Sequence, residues 1–475
     1  MTKYLDPLDS AFVLLEVPGS AMNIAAVIEL DFGDVADPKE RFELIRKNIA
    51  ERIHEIPVLS QRIVRAPFDV TWPALVEDQR FDLNRHVSRV ALPSPGSPDQ
   101  FDELISEFLS RPLEATRPLW QLLIVEGLAD GRAAALLKVH HALADGVSGA
   151  ETFASLFDIS PAVRAPSPKG DVSAAVHTTS SWGLVAAGFR RFRERPQSVV
   201  ENLASWVVRL FEIVRTVVQV VIARGRRRTT PDQPSIFEAR RISLNGAPGV
   251  DKVYQRTRIP LADAKRAAKG HGATVTDFVM TTTSGALRRL LEDRGEAPSH
   301  DLIALVPINV RSEGDVNMGN QISGMLVALH TELVDPVERL HAIARDSAKT
   351  VGVQRQSRAK MLQNMPRAVG PFFLSVGGKL AAVLGLFDLL PPMANLMVSS
   401  VPGPPLALWL SGHRVVSISP VGPLFGPFSL NITVLGFGEN LEFGLFGSAD
   451  ALPDLSTLRD YLLEEAQALI ASTPE

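Results

Sequence analysis

The stretch "LLKVHHALADGVSG", Leu136 to Gly149, carries the reading of this chain. An apolar run ends in two adjacent histidines, and Asp-Gly follows four residues after the second. The run reads as a buried strand, and "GAETFASLF" beyond it reads as a helix. His141 therefore sits where a strand runs out, a rigid place from which to project a side chain into a cleft. Imidazole is the usual proton carrier near neutral pH. Asp145 is placed to orient the loop, and Gly146 permits a backbone approach that a Cβ would block. The alternative is a packed core histidine with Asp145 as a helix N-cap. The complete pattern, H-H-x-x-x-D-G after a strand and before a helix, favours function.

At 475 residues the chain is too long for one ordinary core, so two domains of roughly 200 residues are expected. Hydrophobic residues make up 45% and charged residues 21%, a globular balance. A net charge of −4 shows no nucleic-acid footprint, so nucleic acid is not an expected partner. The absence of cysteine excludes disulfides, a thiolate nucleophile and Cys-ligated metal. The opening "MTKYLDPLDSAFVLLEVPGS" lacks a signal-peptide layout, because Asp6 and Asp9 interrupt it. No uninterrupted apolar run is long enough to span a bilayer. The expected setting is cytoplasmic, soluble or peripheral on the inner membrane face or on lipid droplets.

Along the chain, "MNIAAVIELDF" reads as a strand and "KERFELIRKNIAERIHEIPVL" as an amphipathic helix stopped near Pro57. "DQFDELISEFLSRPL" is a second helix. "WQLLIVEGL" and "AAALLKVHH" are apolar strands, and the turn between them suits Asp130-Gly131. From about residue 160 the texture becomes Pro/Ser-rich, as in a linker, and a long helical tract follows over about Trp182–Ala223. The second half resumes with helices at "LADAKRAAKGHG", "TVTDFVMTTTSGALRRLLEDRG" and "DPVERLHAIARDSAKTV". Strands are expected at "DLIALVPINV", "QISGMLVALHTEL", "RVVSISP", "LNITVLGFG" and "LEFGLFG", and a closing helix at "DLSTLRDYLLEEAQALIAS". Strands and helices mix without strict βαβ alternation, which predicts two α+β layered domains. The expected division is 1–160, a linker with a long amphipathic helix over 161–240, and 241–475.

"HHALADG" resembles the H-H-x-x-x-D-G motif of the CoA-dependent acyltransferase superfamily. In order, "LDPLDSAFVLLE", "FDLNRHV", "LPSPG", "PLEATRPLWQ", "VPINVR", "MGNQISGM", "DPVERLHAI", "VPGPP", "LNITV" and "LEFGL" resemble the bacterial wax ester synthase/diacylglycerol acyltransferase family. The similarity runs to about Asp454, with a poorly matching stretch around 160–235. It implies a pseudo-dimer of two chloramphenicol-acetyltransferase-like α/β domains around a central tunnel. It also implies acyl-CoA as co-substrate with no resident cofactor or metal, and diacylglycerol or a long-chain alcohol as acceptor. His141 is then the general base and His140 shapes the site. Asp145 points away from substrate and pairs with an arginine, expected to be Arg311. The "RPLW" residues Pro118, Leu119 and Trp120 match a motif associated with substrate binding; on their own they read as core packing. Asp277 matches a family Asn-Asp pair, whereas Thr276 departs from it, and Ser400 stands where asparagine is common. Both departures leave open whether activity or substrate choice has shifted.

The residues themselves could move an acyl group by direct transfer. An alcohol needs a base as it attacks a thioester, and His141 could be that base. Ser429 and Asn431, in "FSLNIT", are candidate oxyanion donors; the alternative is ordinary strand and turn polarity. No G-x-S-x-G, H-E-x-x-H or P-loop pattern is present. Leu203, Val207, Leu210, Val214, Val217 and Val221 form an apolar stripe, followed by Arg224, Arg226, Arg227 and Arg228. An interfacial helix and a linker helix packed on the protein both fit it. Two rivals to the O-acyltransferase remain: a superfamily enzyme with another hydroxyl or amine acceptor, and a non-catalytic lipid-binding or droplet-surface protein. Oligomeric state is not legible.

Overall fold

The computed structural model describes residues 3–17, 19–33, 35, 37–143, 155–167, 180–186, 239–296, 300–309, 322–354, 370–383, 391–404 and 406–474. Two six-stranded mixed sheets organise them. In the first half the strands are β1 (Lys3–Tyr4), β2 (Asn23–Asp31), β3 (Gln61–Val64), β4 (Ala74–Glu77), β5 (Val87–Ala91), β6 (Trp120–Glu126) and β7 (Ala133–His140). In the second they are β8 (Lys252–Pro260), β9 (Ile303–Asn309), β10 (Ile322–Ala328), β11 (Leu396–Val401), β12 (Trp409–Leu410), β13 (His413–Val421), β14 (Leu430–Phe437) and β15 (Asn440–Ser448). One sheet runs β12-β13-β2-β7-β6-β5 and the other β10-β9-β11-β14-β15-β8; β1, β4 and β3 form a small third sheet.

The order of the first large sheet departs from chain order. β13 lies in the second half, yet it pairs antiparallel with β2. The sheet boundary therefore does not coincide with residue 241. "RVVSISP" shows alternation, and alternation says that a strand has a buried face, not which sheet supplies its neighbour. The crossing brings the sheets close. A Cβ at Gly444 of β15 would overlap the carbonyl oxygen of Pro420 in β13, so this position takes a residue without one.

Local chemistry sets the helix starts. In α1 (Pro7–Leu14) Asp6 accepts the Leu8 N–H at 3.1 Å. In α2 (Pro38–Arg52) Asp37 accepts that of Lys39 at 2.9 Å, with proline in the first turn, where its missing N–H costs nothing. α3 (Pro98–Ser110) opens with a reciprocal Ser97–Gln100 capping box. In the second half the helix Val275–Asp293 opens with a Thr274–Asp277 box, and Pro336–Gln354 starts on Asp335. The expected helix at "LADAKRAAKGHG" is Leu261–Gly270, ending just before Gly272 at φ +68°. The tract expected at 182–223 and the helix expected at "GAETFASLF" lie largely outside the described residues; 181–186 are helical.

One apolar core is built from the second half and another mainly from the first half with Leu410, Val415 and Phe437, and a third cluster joins the halves: Val27, Phe101 and Leu136 from the first pack with Tyr254, Val421 and Phe446 from the second. Charges are buried beside it. Arg256 of β8 pairs with Glu29 of β2 and, at 3.0 Å, with Asp102 of α3, and its guanidinium lies 4.5 Å from the Phe101 ring centroid. Arg132 and Arg258 approach Glu29 at 3.4 and 3.7 Å. Burial pushes the Asp102 carboxyl up to about 6, against the opposing pull of Arg256.

Removing one partner from such a cluster strands the others. Arg256→Met is expected to lower stability by about 3–5 kcal/mol, because Glu29 and Asp102 lose their shared cation. Arg46→Ala, which breaks a surface pair with Glu43 at 2.8 Å, should cost under about 1 kcal/mol. Urea unfolding midpoints compare the two directly, and equal shifts would contradict the clasp.

Candidate active site

The histidine pair sits at the end of β7, a central strand held on one side by β2 and on the other by β6. Its last backbone amides are all engaged. The His140 N–H donates to the Leu119 carbonyl at 2.9 Å and the His141 N–H to the Met22 carbonyl at 2.7 Å. The chain then turns through a single 3-10 turn, His141–Leu143. The Ala142 N–H donates back to Nδ1 of His140 at 3.1 Å. A backbone N–H can only donate, so this Nδ1 is unprotonated and the ring proton of a neutral His140 is on Nε2. That nitrogen faces Oε2 of Glu16 at 3.7 Å.

The two rings differ in setting. His140 is 1% exposed, inside the fold. His141 keeps part of its surface open while protein atoms crowd the rest. The Phe12 ring of α1 packs on it, with centroids 4.6 Å apart and planes at 56°. Its Nδ1 is enclosed and has no hydrogen-bond partner among the described residues. Burial, with a smaller contribution from His140, holds the His141 imidazole down at about 4. At neutral pH it is an uncharged ring able to accept a proton.

Lys138 braces this strand from two residues upstream, on the same face as His140. It is fully buried. Its ammonium donates to the carbonyls of Phe108 and Arg111 at 2.7 Å each, at the C-terminal end of α3, and lies 4.3 Å from the Phe108 ring centroid. A cation suits the negative end of a helix. Burial still lowers its pKa to about 8.

The other expected site residues are dispersed. Pro118 and Leu119 are buried beside the pair, and Leu119 holds His140 through its carbonyl. Trp120 is 2% exposed, stacks on His86 at 4.7 Å and donates its indole N–H to the Leu59 carbonyl at 2.8 Å. The cavity it helps line is about 20 Å³, room for about one water and not for an acyl chain. Trp120 here packs as a core residue.

Asp277 accepts from the Thr274 N–H at 2.9 Å and hydroxyl at 2.7 Å, so its carboxylate caps a helix. The Asn431 amide donates to the Pro423 carbonyl at 2.9 Å and to Met397 Sδ at 3.1 Å, and the Ser429 hydroxyl points at the Gly246 carbonyl at 3.4 Å. In this structure those donors are directed at partners within the second half. Asp145, Gly146 and Arg311 lie outside the described residues, as does the 203–228 stripe. Sequence reasoning missed Phe12, Glu16, Met22 and Lys138 as site-building residues. The first two stand in the "LDPLDSAFVLLE" segment, whose regular apolar pattern gives no hint that it touches a histidine pair over a hundred residues away.

Known proteins share this arrangement of chain. Residues 5–279 match the family described as the wax ester synthase/diacylglycerol acyltransferase catalytic domain, and residues 318–469 match its C-terminal domain. A Mycobacterium tuberculosis protein named "probable diacylglycerol O-acyltransferase" is 29% identical over 476 residues, covering 98% of this chain and 96% of that protein. An Acinetobacter baylyi O-acyltransferase is 27% identical over 469 residues, covering 98% and 96%. The wax ester synthase/diacylglycerol acyltransferase structure from Marinobacter aquaeolei VT8 superposes with a TM-score of 0.68 at 24% identity, covering 99% of this chain and 100% of that one. The first condensation domain of a calcium-dependent antibiotic synthetase gives 0.56 at 16% identity, covering 100% and 98%, a likeness of fold alone.

A histidine that resists protonation has a measurable signature. The ring resonances of His141 should titrate with a midpoint near 4, not near the ordinary histidine value. The unfolded chain binds a proton at higher pH than the folded protein does, so stability is lost as pH falls through this window. An NMR titration with His141→Gln as the assignment control checks it; an unshifted midpoint near about 6.5 would refute the burial argument.

Proposed function

The chain belongs to the wax ester synthase/diacylglycerol acyltransferase family, and we propose that it moves a fatty acyl group from acyl-CoA to the hydroxyl of diacylglycerol, of a long-chain alcohol, or of both, with His141 as general base. The observation that carries this reading is the state of His141: an uncharged, partly open imidazole fixed at a strand end, with no side-chain hydrogen bond among the described residues to occupy it.

An alcohol is far too weak an acid to ionise at neutral pH, so its proton must leave as its oxygen attacks. His141 takes that proton while the oxygen bonds to the thioester carbonyl carbon. The carbonyl electrons move onto oxygen, giving a tetrahedral oxyanion. Its collapse breaks the C–S bond. The CoA thiolate leaves and recovers the proton from the imidazolium. One ester and one thiol are formed, and no acyl-enzyme is needed, which suits a chain without cysteine. Burial disfavours a lone imidazolium at this position, but the charge appears together with the oxyanion. The two opposite charges then stabilise each other in a site of low dielectric. The ring is therefore protonated most easily when the transition state forms.

The acceptors are lipids, and we place the reaction at a lipid surface approached from one side. Among the described residues no helix is long and apolar enough to cross a membrane. Exposed apolar side chains support a surface-associated reading: Phe68, Phe372, Phe373, Val376 and Leu380 lie in solvent, the last four on the helix Pro371–Val383 that packs against α1.

With palmitoyl-CoA and dioleoylglycerol or hexadecanol, thiol release and ester product should appear together. His141→Ala should lower kcat by about a hundredfold to ten-thousandfold, the usual contribution of a positioned general base. Equal rates in the variant and the parent protein would remove His141 from the reaction.

A further inference from the structure

We propose that Glu16 is a positioning residue for the base: it holds the ring proton of His140 on Nε2 and so keeps the turn that presents His141. The inference rests on the assignment of His141 as base and adds a residue behind it. Nδ1 of His140 accepts the Ala142 N–H at 3.1 Å. If the ring proton moved to Nδ1, two donors would face each other inside the fold. The Ala142 N–H would lose its partner, and an unsatisfied buried N–H is costly enough to reopen a single turn. That turn is His141–Leu143, so its displacement would move the base itself.

The Ala142 N–H favours one proton position from the Nδ1 side, and the environment of Nε2 is the second influence on the choice. His140 is 1% exposed, so solvent does not make the choice. Nε2 has no hydrogen-bond partner among the described residues, and the group in front of it is the Glu16 carboxylate at 3.7 Å. Glu16 forms no other ion pair among the described residues. A negative charge at that distance favours a polarised N–H pointing toward it over a lone pair. Carboxylate, imidazole and backbone amide thus form a line: Glu16, then Nε2–H and Nδ1 of His140, then the Ala142 N–H.

The same chain segment supports the second ring. Glu16 lies just past α1, and Phe12 of α1 packs on His141 at 4.6 Å. One short stretch of sequence therefore sets the proton position of the first histidine and the packing of the second. α1 itself is anchored where it contacts the turn.

The full-length protein with Glu16→Leu, Glu16→Gln and His141→Ala tests this, using palmitoyl-CoA and dioleoylglycerol. Glu16→Leu should lose about a hundredfold in kcat, the scale of a misplaced reacting group, with the KM for palmitoyl-CoA unchanged. Glu16→Gln should recover most of the rate, because its amide oxygen accepts from the same Nε2–H. Histidine 15N shifts in the parent protein should show His140 protonated on Nε2, and Glu16→Leu should show a mixture of tautomers. A parent protein protonated on Nδ1, or a Glu16→Leu enzyme with unchanged kcat, overturns the proposal. If Glu16→Leu fails to fold, the parent tautomer and the Gln variant decide. Full activity in His141→Ala would instead overturn the base assignment, and the tautomer measurement would still report on Glu16.

Discussion

A buried strand cannot leave its sheet until each backbone group it carries has found another partner. That constraint builds the site at the end of β7. Three successive amides are satisfied by three different sources: Leu119 just before β6, Met22 just before β2, and the imidazole of His140 itself. Using a side chain as the third acceptor lets the backbone bend at once into a turn. His141 inherits its place from that bend. The first histidine therefore builds the turn and the second, in the proposed function, takes the proton, although they are neighbours in one motif and identical in composition.

The same strand shows how buried charge can serve position. Lys138 gives up full hydration to hold the end of α3 through two carbonyls. Arg256 does the same between β2, α3 and β8. Buried ions of this kind are a weak source of stability compared with apolar packing of equal volume. Their directionality is what an apolar contact lacks. Hydrophobic contact brings the halves together, and the Arg256 cluster ties β8 to β2 and α3 by directed ion pairs.

Much of the fold was legible because period and punctuation agree. β6 and β7, the helices starting at Thr274 and Asp335, and the turn at Asp130-Gly131 stand close to where pattern and turn chemistry put them. The placement of β13 was not legible, since its neighbours are chosen by a contact between residues some 390 apart, Ile418 with Ile28 among them. Among the site residues, Trp120, Asp277 and Asn431 carry residue types suited to binding, yet each satisfies its own polar groups internally. A sequence shows that a polar atom exists; only packing shows whether it is already spent. Phe12 and Glu16 were hidden for the converse reason. Nothing local marks them, and they matter through what a distant strand end brings against them.

The chain's own residues determined the α+β layering, the two cores, the capped helix starts, the family and the histidine at a strand end. Each of these depends on short-range periodicity or on a compact motif. Tertiary structure alone decided which strands share a sheet, which polar groups are free, that His140 is a structural acceptor, and that His141 is desolvated enough to stay neutral. Those properties come from groups far apart in sequence sharing one low-dielectric neighbourhood, and neither desolvation nor hydrogen-bond competition can be read from spacing along the chain.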